Sequence, residues 1–274
     1  MNRIKLSLHK AFVTLLGNEK RQSVTIPIFA ILLSLITGAV LLALLGKNPF
    51  VAYYSLLQGS GILPKASYAA HKGVLTDFFS LLNAWTPMLF ASLAVAVALR
   101  TGLFNIGVSG QMLASGFVAS VLVGYSPLSA WLAKPAVLLI GLIVGMLVGG
   151  LIGFLKYRFN INEVVSSIMI NYVIHLLVSF FINTKFIDPL SRQSRAITKG
   201  ARLTLMDTAI ADLKMDIPLG IVLAIAAAFF IRFLLDRTVA GFELKTVGSS
   251  RTAAEYAGIK VGKNMVLAMV LSGG

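Results

Sequence analysis

From Val24 to Leu45 the chain carries no charged side chain. About 20 apolar residues in helical form cross the hydrocarbon layer of a bilayer, and every backbone polar group in such a segment can be satisfied internally. Apolar stretches of similar character recur at Leu81–Leu99, Pro135–Leu155, Val164–Ile182 and Ile217–Leu235. Met112–Val123 is apolar but shorter, and a seventh segment begins near Met265 and is still apolar at Gly274. Further helices are therefore expected beyond Gly274. Residues 1–274 are read as one all-α, polytopic membrane bundle with about seven apolar segments, with Thr86-Pro87 predicting a kink in the second. The composition agrees, with 57% hydrophobic and 12% charged residues and a mean hydropathy of +0.87. A soluble domain of this length needs more surface charge.

The chain contains no cysteine, which excludes disulfides and thiolate metal sites, and its three histidines (His9, His71 and His175) are scattered. The net charge of +14 is not a nucleic-acid signature, because the basic residues cluster beside apolar runs. Anionic lipid headgroups are the expected counter-charge. Ile4, Leu8, Phe12 and Leu15 recur at helical spacing among lysines, so residues 1–23 are expected to lie along the membrane surface ahead of an uncleaved anchor. A cytoplasmic N-terminus puts fourteen of the 24 basic residues on the inner side. It leaves residues 183–216 as an external loop and 236–264 as a cytoplasmic one.

Three polar features interrupt this pattern. Gly141, Gly145, Gly149 and Gly153 form a smooth ridge at intervals of four, the small-xxx-small pattern of close helix packing. Glu163, Ser167, Asn171, His175 and Ser179 form a slowly winding polar stripe on the next segment. Such a stripe either hydrogen-bonds neighbouring helices or lines a path for a polar solute. The third is GLFNIGVSGQ at residues 102–111, a glycine-rich polar knot between apolar segments. It lacks the Lys-Ser/Thr of a phosphate loop. Its glycines let the backbone leave the helix, while Asn105, Ser109 and Gln111 can satisfy the freed peptide groups. Broken helices are where many transporters bind solutes. Gly107-Val108-Ser109-Gly110 also resembles the nucleophile site of rhomboid intramembrane proteases, for which His175 is the available base. An ion-coupled transporter carrying protons on Glu163 or His175 is a further alternative.

Together, FNIGVSGQ at 104–111, NEVVSSIMINYV at 162–173 and TVGSSRTAAEYAGI at 246–259 closely resemble the permease subunits of bacterial ABC importers for branched-chain amino acids, ribose and nucleosides. NPFVAYYSLLQGS at 48–60 is similar to a stretch of the nucleoside subgroup, with ribose or a simple sugar as the alternative solute. The resemblance implies alternating access in the bacterial cell membrane, with no cofactor bound by this chain and no covalent chemistry. ATP and Mg would be used by a partner ATPase subunit, beside a second permease subunit and an extracellular substrate-binding lipoprotein. It further implies a coupling helix at Arg251, Ala253, Ala254, Glu255 and Gly258 that docks on the ATPase. Asn105, Ser109, Gln111, Ser167, Asn171 and His175 would lie on the substrate path.

Overall fold

The computed structural model describes residues 19–68, 73–188, 193–210 and 213–274. The surface segment expected at residues 1–23 lies outside them up to residue 18, and Glu19 already belongs to the first helix. Two compact units divide the chain, one ending at Ser67 and the other starting at Tyr68.

In the first unit, α1 (Glu19–Leu44) is the expected span. The loop after it holds a second helix, α2 (Pro49–Gly59), which sequence reading missed. Its start follows a standard recipe. The Asn48 side chain accepts from Phe50 N at 2.9 Å, and Pro49 needs no partner in the first turn. The Tyr53 hydroxyl donates to the Leu35 carbonyl, tying α2 to α1.

Among the described residues the second unit contains eight further α-helices, four long and four shorter. They are α3 (Val74–Arg100), α4 (Val108–Ala119), α5 (Ala130–Phe159), α6 (Glu163–Phe181), α7 (Leu219–Arg237), α8 (Val239–Ser249), α9 (Arg251–Tyr256) and α10 (Val261–Gly273). With α1, the helices α3, α5, α6 (extended to Phe186) and α7 are long and apolar enough to cross a membrane, while Val108–Gly124 and α10 are shorter apolar helices. The helix α3 continues through Pro87. The Thr86 hydroxyl donates back to Leu82 O at 2.9 Å. Both α4 and α6 end in a π-helical turn, Ser120–Gly124 and Ile182–Phe186.

One departure from an all-α reading lies in the expected external loop. There β1 (Thr204–Ile210) pairs antiparallel with β2 (Leu213–Pro218), Thr204 opposite Pro218 and Ile210 opposite Leu213. The hairpin lies along the first half of α3, where the Thr204 hydroxyl donates to Asn83 Oδ1 at 3.2 Å. Around Gly200 the chain touches Leu128 and Ala130 at the start of α5. These contacts define one end of the bundle, and the basic residues Arg100, Lys156, Arg158 and Arg237 close helices at the other.

Packing is densest at the basic end. There Ala98, Leu103, Ile152, Leu244, Val247, Ala254, Met265, Ala268 and Met269 make one buried cluster from six segments. Apolar burial alone does not drive helices together in lipid, so fit and hydrogen bonds must. Glycines supply the fit. A Cβ added at Gly145 would strike the carbonyl oxygen of Gly273, and one at Gly149 that of Met269. At Gly153 it would lie 2.9 Å from Met269 Cβ. The ridge therefore carries α10 in backbone contact with α5. At Gly141 nothing described lies within 4 Å of an added Cβ, so the contact with α10 is carried by the other three glycines of the ridge.

Candidate functional site: a pocket beside a broken helix

At the basic end α3 stops at Arg100, and Gly102 turns the chain with φ +68°. That conformation disfavours any residue with a Cβ. The backbone stays out of the helix until Val108. Asn105 Oδ1 accepts from Gly107 N at 2.8 Å and from Gln111 Nε2 at 3.3 Å. Asn105 Nδ2 donates to Gln111 Oε1 at 3.1 Å and to Ser272 Oγ at 2.7 Å. The Ser272 hydroxyl in turn donates to Ala94 O at 2.6 Å. The knot, α3 and α10 are thus stitched by one network, in which Asn105, Gln111 and Ser272 are 1%, 3% and 4% exposed. Breaking a buried network strands its remaining partners, which makes it costly.

A second tie joins the knot to α6. Asn171 Oδ1 accepts from Gly110 N at 2.9 Å, and Asn171 Nδ2 donates to Ile106 O at 3.0 Å. Only glycine fits at 110, since a Cβ there would lie 2.5 Å from Asn171 Oδ1 and 3.1 Å from Asn171 Cα. Both faces of the Asn171 amide are therefore spent on backbone. Asn171→Leu keeps the branched shape of the side chain and removes both bonds. It is expected to leave the spans inserted, lower the melting temperature of the detergent-solubilised chain by several degrees, and reduce uptake. Unchanged melting would show that the tie does not hold the knot.

Beside this tie, a pocket of about 450 Å³ opens between α4 and α6, lined by Ser109, Leu113, Ile168, Asn171, Tyr172 and His175. The spacing explains the grouping. Ser109 and Leu113 are one turn apart on α4, and Ile168, Asn171, Tyr172 and His175 follow the i, i+3, i+4, i+7 face of α6. Ser109 and His175 are exposed on this chain, and Tyr172 is 65% exposed. None of the three makes a side-chain hydrogen bond to another described residue, including between Ser109 and His175. Further along the same helix faces, Phe117 of α4 stacks on Phe181 of α6 with ring centres 6.1 Å apart. Phe117 also meets Phe186 at 5.9 Å, and Phe186 stacks on Tyr125 at 5.8 Å.

At the basic end Asn160 adopts the left-handed conformation (φ 51°), and Asn162 caps α6 by accepting from Val164 N at 2.9 Å. Across this turn Lys156 Nζ and Glu163 Oε2 pair at 3.0 Å, both largely buried. Nearby, Thr238 caps α8 and Ser250 caps α9, accepting from Gly241 N at 3.1 Å and Ala253 N at 3.2 Å. Gly258, at φ +76°, ends the α9 segment. Gly248 brings α8 against the Arg100 carbonyl, so this foot is joined directly to the end of α3.

Residues 78–274 match the family described as the permease component of the branched-chain amino acid transport system. The chain belongs to that permease family. The permease is 30% identical over 265 residues to the nucleoside ABC transporter permease protein NupB of Lactococcus lactis, which covers 93% of this chain and 69% of that one. It is 32% identical over 249 residues to the guanosine ABC transporter permease protein NupP of Bacillus subtilis, covering 90% of this chain and 68% of that one. It is 26% identical over 240 residues to the glucose ABC transporter permease protein TsgB13 of Haloferax volcanii, covering 85% of this chain and 60% of that one. No solved structure matches. The chain is thus a multi-pass membrane permease of ABC transport type.

Several residue assignments change with the geometry. Ser109, Asn171 and His175 do meet at one pocket. Asn105 and Gln111 are not on its wall, because they are buried and consumed by the knot. Ser167 is fully buried with its hydroxyl unpartnered, so it is also off the pocket wall. In α9 and the turn after it, Arg251, Ala253, Glu255 and Gly258 are exposed, but Ala254 is 0% exposed within the core cluster. Ala254 anchors the helix from beneath and is not available to a partner. Sequence reasoning overlooked Ser272, Tyr172, Leu113 and Ile168. The one available signal was their phase on the helix, which places Ile168 and Tyr172 beside the stripe. Among the described residues, no group of three or more His, Cys, Asp or Glu side chains could hold a metal.

Proposed function

We propose that this permease carries a nucleoside across the bacterial cell membrane by alternating access, driven by a separate ATPase subunit. The reading rests on the two relatives named for nucleoside and guanosine transport, each aligned over at least 90% of this chain. The pocket between α4 and α6 is the solute's way through. Its exposed polar groups lie near mid-span, where hydrocarbon is a poor solvent for them. A second permease subunit therefore covers this face, and the two enclose a wet seam. The N-terminus is cytoplasmic, so the basic end meets the cytosol. There Arg251, Ala253, Glu255 and Gly258 form the surface on which the ATPase docks, and α8 passes its motion through Gly248 to α3. The hairpin end faces outward, toward a solute-binding lipoprotein. The chain itself holds no cofactor and performs no covalent step, and ATP and Mg act in the partner. Glu163 is engaged in an ion pair with Lys156.

Transport is tested by reconstituting the importer in vesicles with radiolabelled guanosine. Uptake is expected to require ATP and the binding protein, and to stop when the ATPase is blocked. Uptake that persists on a proton gradient alone would overturn the reading. Competition by glucose but not by guanosine would move the solute to the sugar class that the Haloferax relative's name indicates.

A further inference from the structure

The pocket has more to say about what it holds. Its volume of about 450 Å³ is in the usual range for small-molecule sites, about 300–1,000 Å³. Its wall is divided. Leu113, Ile168 and the ring of Tyr172 supply apolar surface, and Ser109, His175 and the Tyr172 hydroxyl supply polar atoms. The fourth polar residue, Asn171, is not available, because Gly110 N and Ile106 O occupy its amide. Three unspent polar groups and a flat ring remain.

A free hexose fits that inventory poorly. It presents a hydroxyl at nearly every carbon, and each one buried without a partner costs free energy. A nucleobase is planar, with apolar faces and a hydrogen-bonding edge. Every base has a π-face that an aromatic side chain can stack on. A neutral imidazole presents one donor and one acceptor, so it can meet either kind of edge atom.

We infer that the Tyr172 ring is the stacking platform for the solute's nucleobase and that His175 reads the base edge, with Asn171 positioning the wall and not touching the solute. This inference rests on the nucleoside reading above and adds to it which side chains select the base. Tyr172 and His175 are three positions apart on α6, so one ring and one imidazole face the same cavity from a rigid helix. Weak, sequence-tolerant stacking suits a transit site, because tight capture would slow release.

The test is photolabelling of the assembled importer with 8-azidoadenosine, with the crosslink mapped by mass spectrometry. Labelling is expected on the α6 peptide, Glu163–Phe181, and excess guanosine should compete it away where glucose does not. Tyr172→Leu should cut labelling about five-fold or more, Tyr172→Phe should retain it, and His175→Ala should reduce it. Each variant is compared at equal recovery of the assembled complex. Labelling confined to other helices, or undiminished in Tyr172→Leu, would overturn the inference while leaving guanosine uptake by the unmodified importer intact. If the unmodified importer takes up glucose and no nucleoside, the solute reading fails first and the inference falls with it.

Discussion

Gly149→Ala is expected to cost the permease most of its folded yield, whereas Gly116→Ala costs nothing. The added methyl group at 149 would collide with the Met269 carbonyl and lie 3.0 Å from Gly273 Cα and 3.2 Å from Gly273 N. All three obstacles are backbone, so no rotamer change relieves them and α10 must move away from α5. Moving it also disturbs Ser272, whose hydroxyl connects α10 to Asn105 and to Ala94 O. Overpacking a well-fitted site costs about 1–3 kcal/mol, and losing a buried hydrogen bond adds about 1–3 kcal/mol. That total is a large share of a typical stability of about 5–15 kcal/mol. At Gly116 an added Cβ meets nothing within 4 Å, and alanine is favoured over glycine in a helix by up to about 1 kcal/mol. Gel filtration in detergent and thermal melting decide the matter. Equal melting of the two variants would remove the α5–α10 contact from the account.

The second large effect separates two neighbouring alanines. Ala254→Leu should unfold the basic end, and Ala253→Leu should leave the chain folded but nearly abolish ATP-driven uptake. Ala254 is fully buried against a cluster that includes Leu244, Val247 and Met265, and three extra carbons have no space there. Ala253 is exposed on the face offered to the ATPase. A bulkier side chain there blocks close approach without touching the core. Two measurements are needed, the melting temperature and uptake per mole of folded importer. Wild-type uptake from Ala253→Leu would remove α9 as the docking surface. A fully stable Ala254→Leu would show that its burial is incidental.

The spans were legible because a bilayer imposes one length and one polarity on every crossing segment. The glycine spacing was legible for a similar reason, since it depends on residues close in sequence. What sequence could not show was the partner. The glycine spacing predicted close packing without naming α10. Asn105 and Gln111 had the right chemistry for a broken helix, but whether they face a solute or each other depends on Ser272, far along the chain. Ala253 and Ala254 are identical in type, and only the approach of α9 to Leu244 and Met265 distinguishes them. The Asn48-Pro49 start of α2 carried a readable signal. The Thr204–Pro218 hairpin sat in a stretch read only as a loop.

The 167-residue separation between Asn105 and Ser272 has a consequence for biosynthesis. At about 5–20 residues per second, the ribosome takes roughly 10–30 s to make the serine after the asparagine has emerged. During that interval the half-made chain holds an amide whose final acceptor does not yet exist, beside a break that oil cannot solvate. Nascent permease must therefore keep this segment near the insertion machinery or another polar shelter, and it becomes fully lipid-compatible only when its late helix arrives.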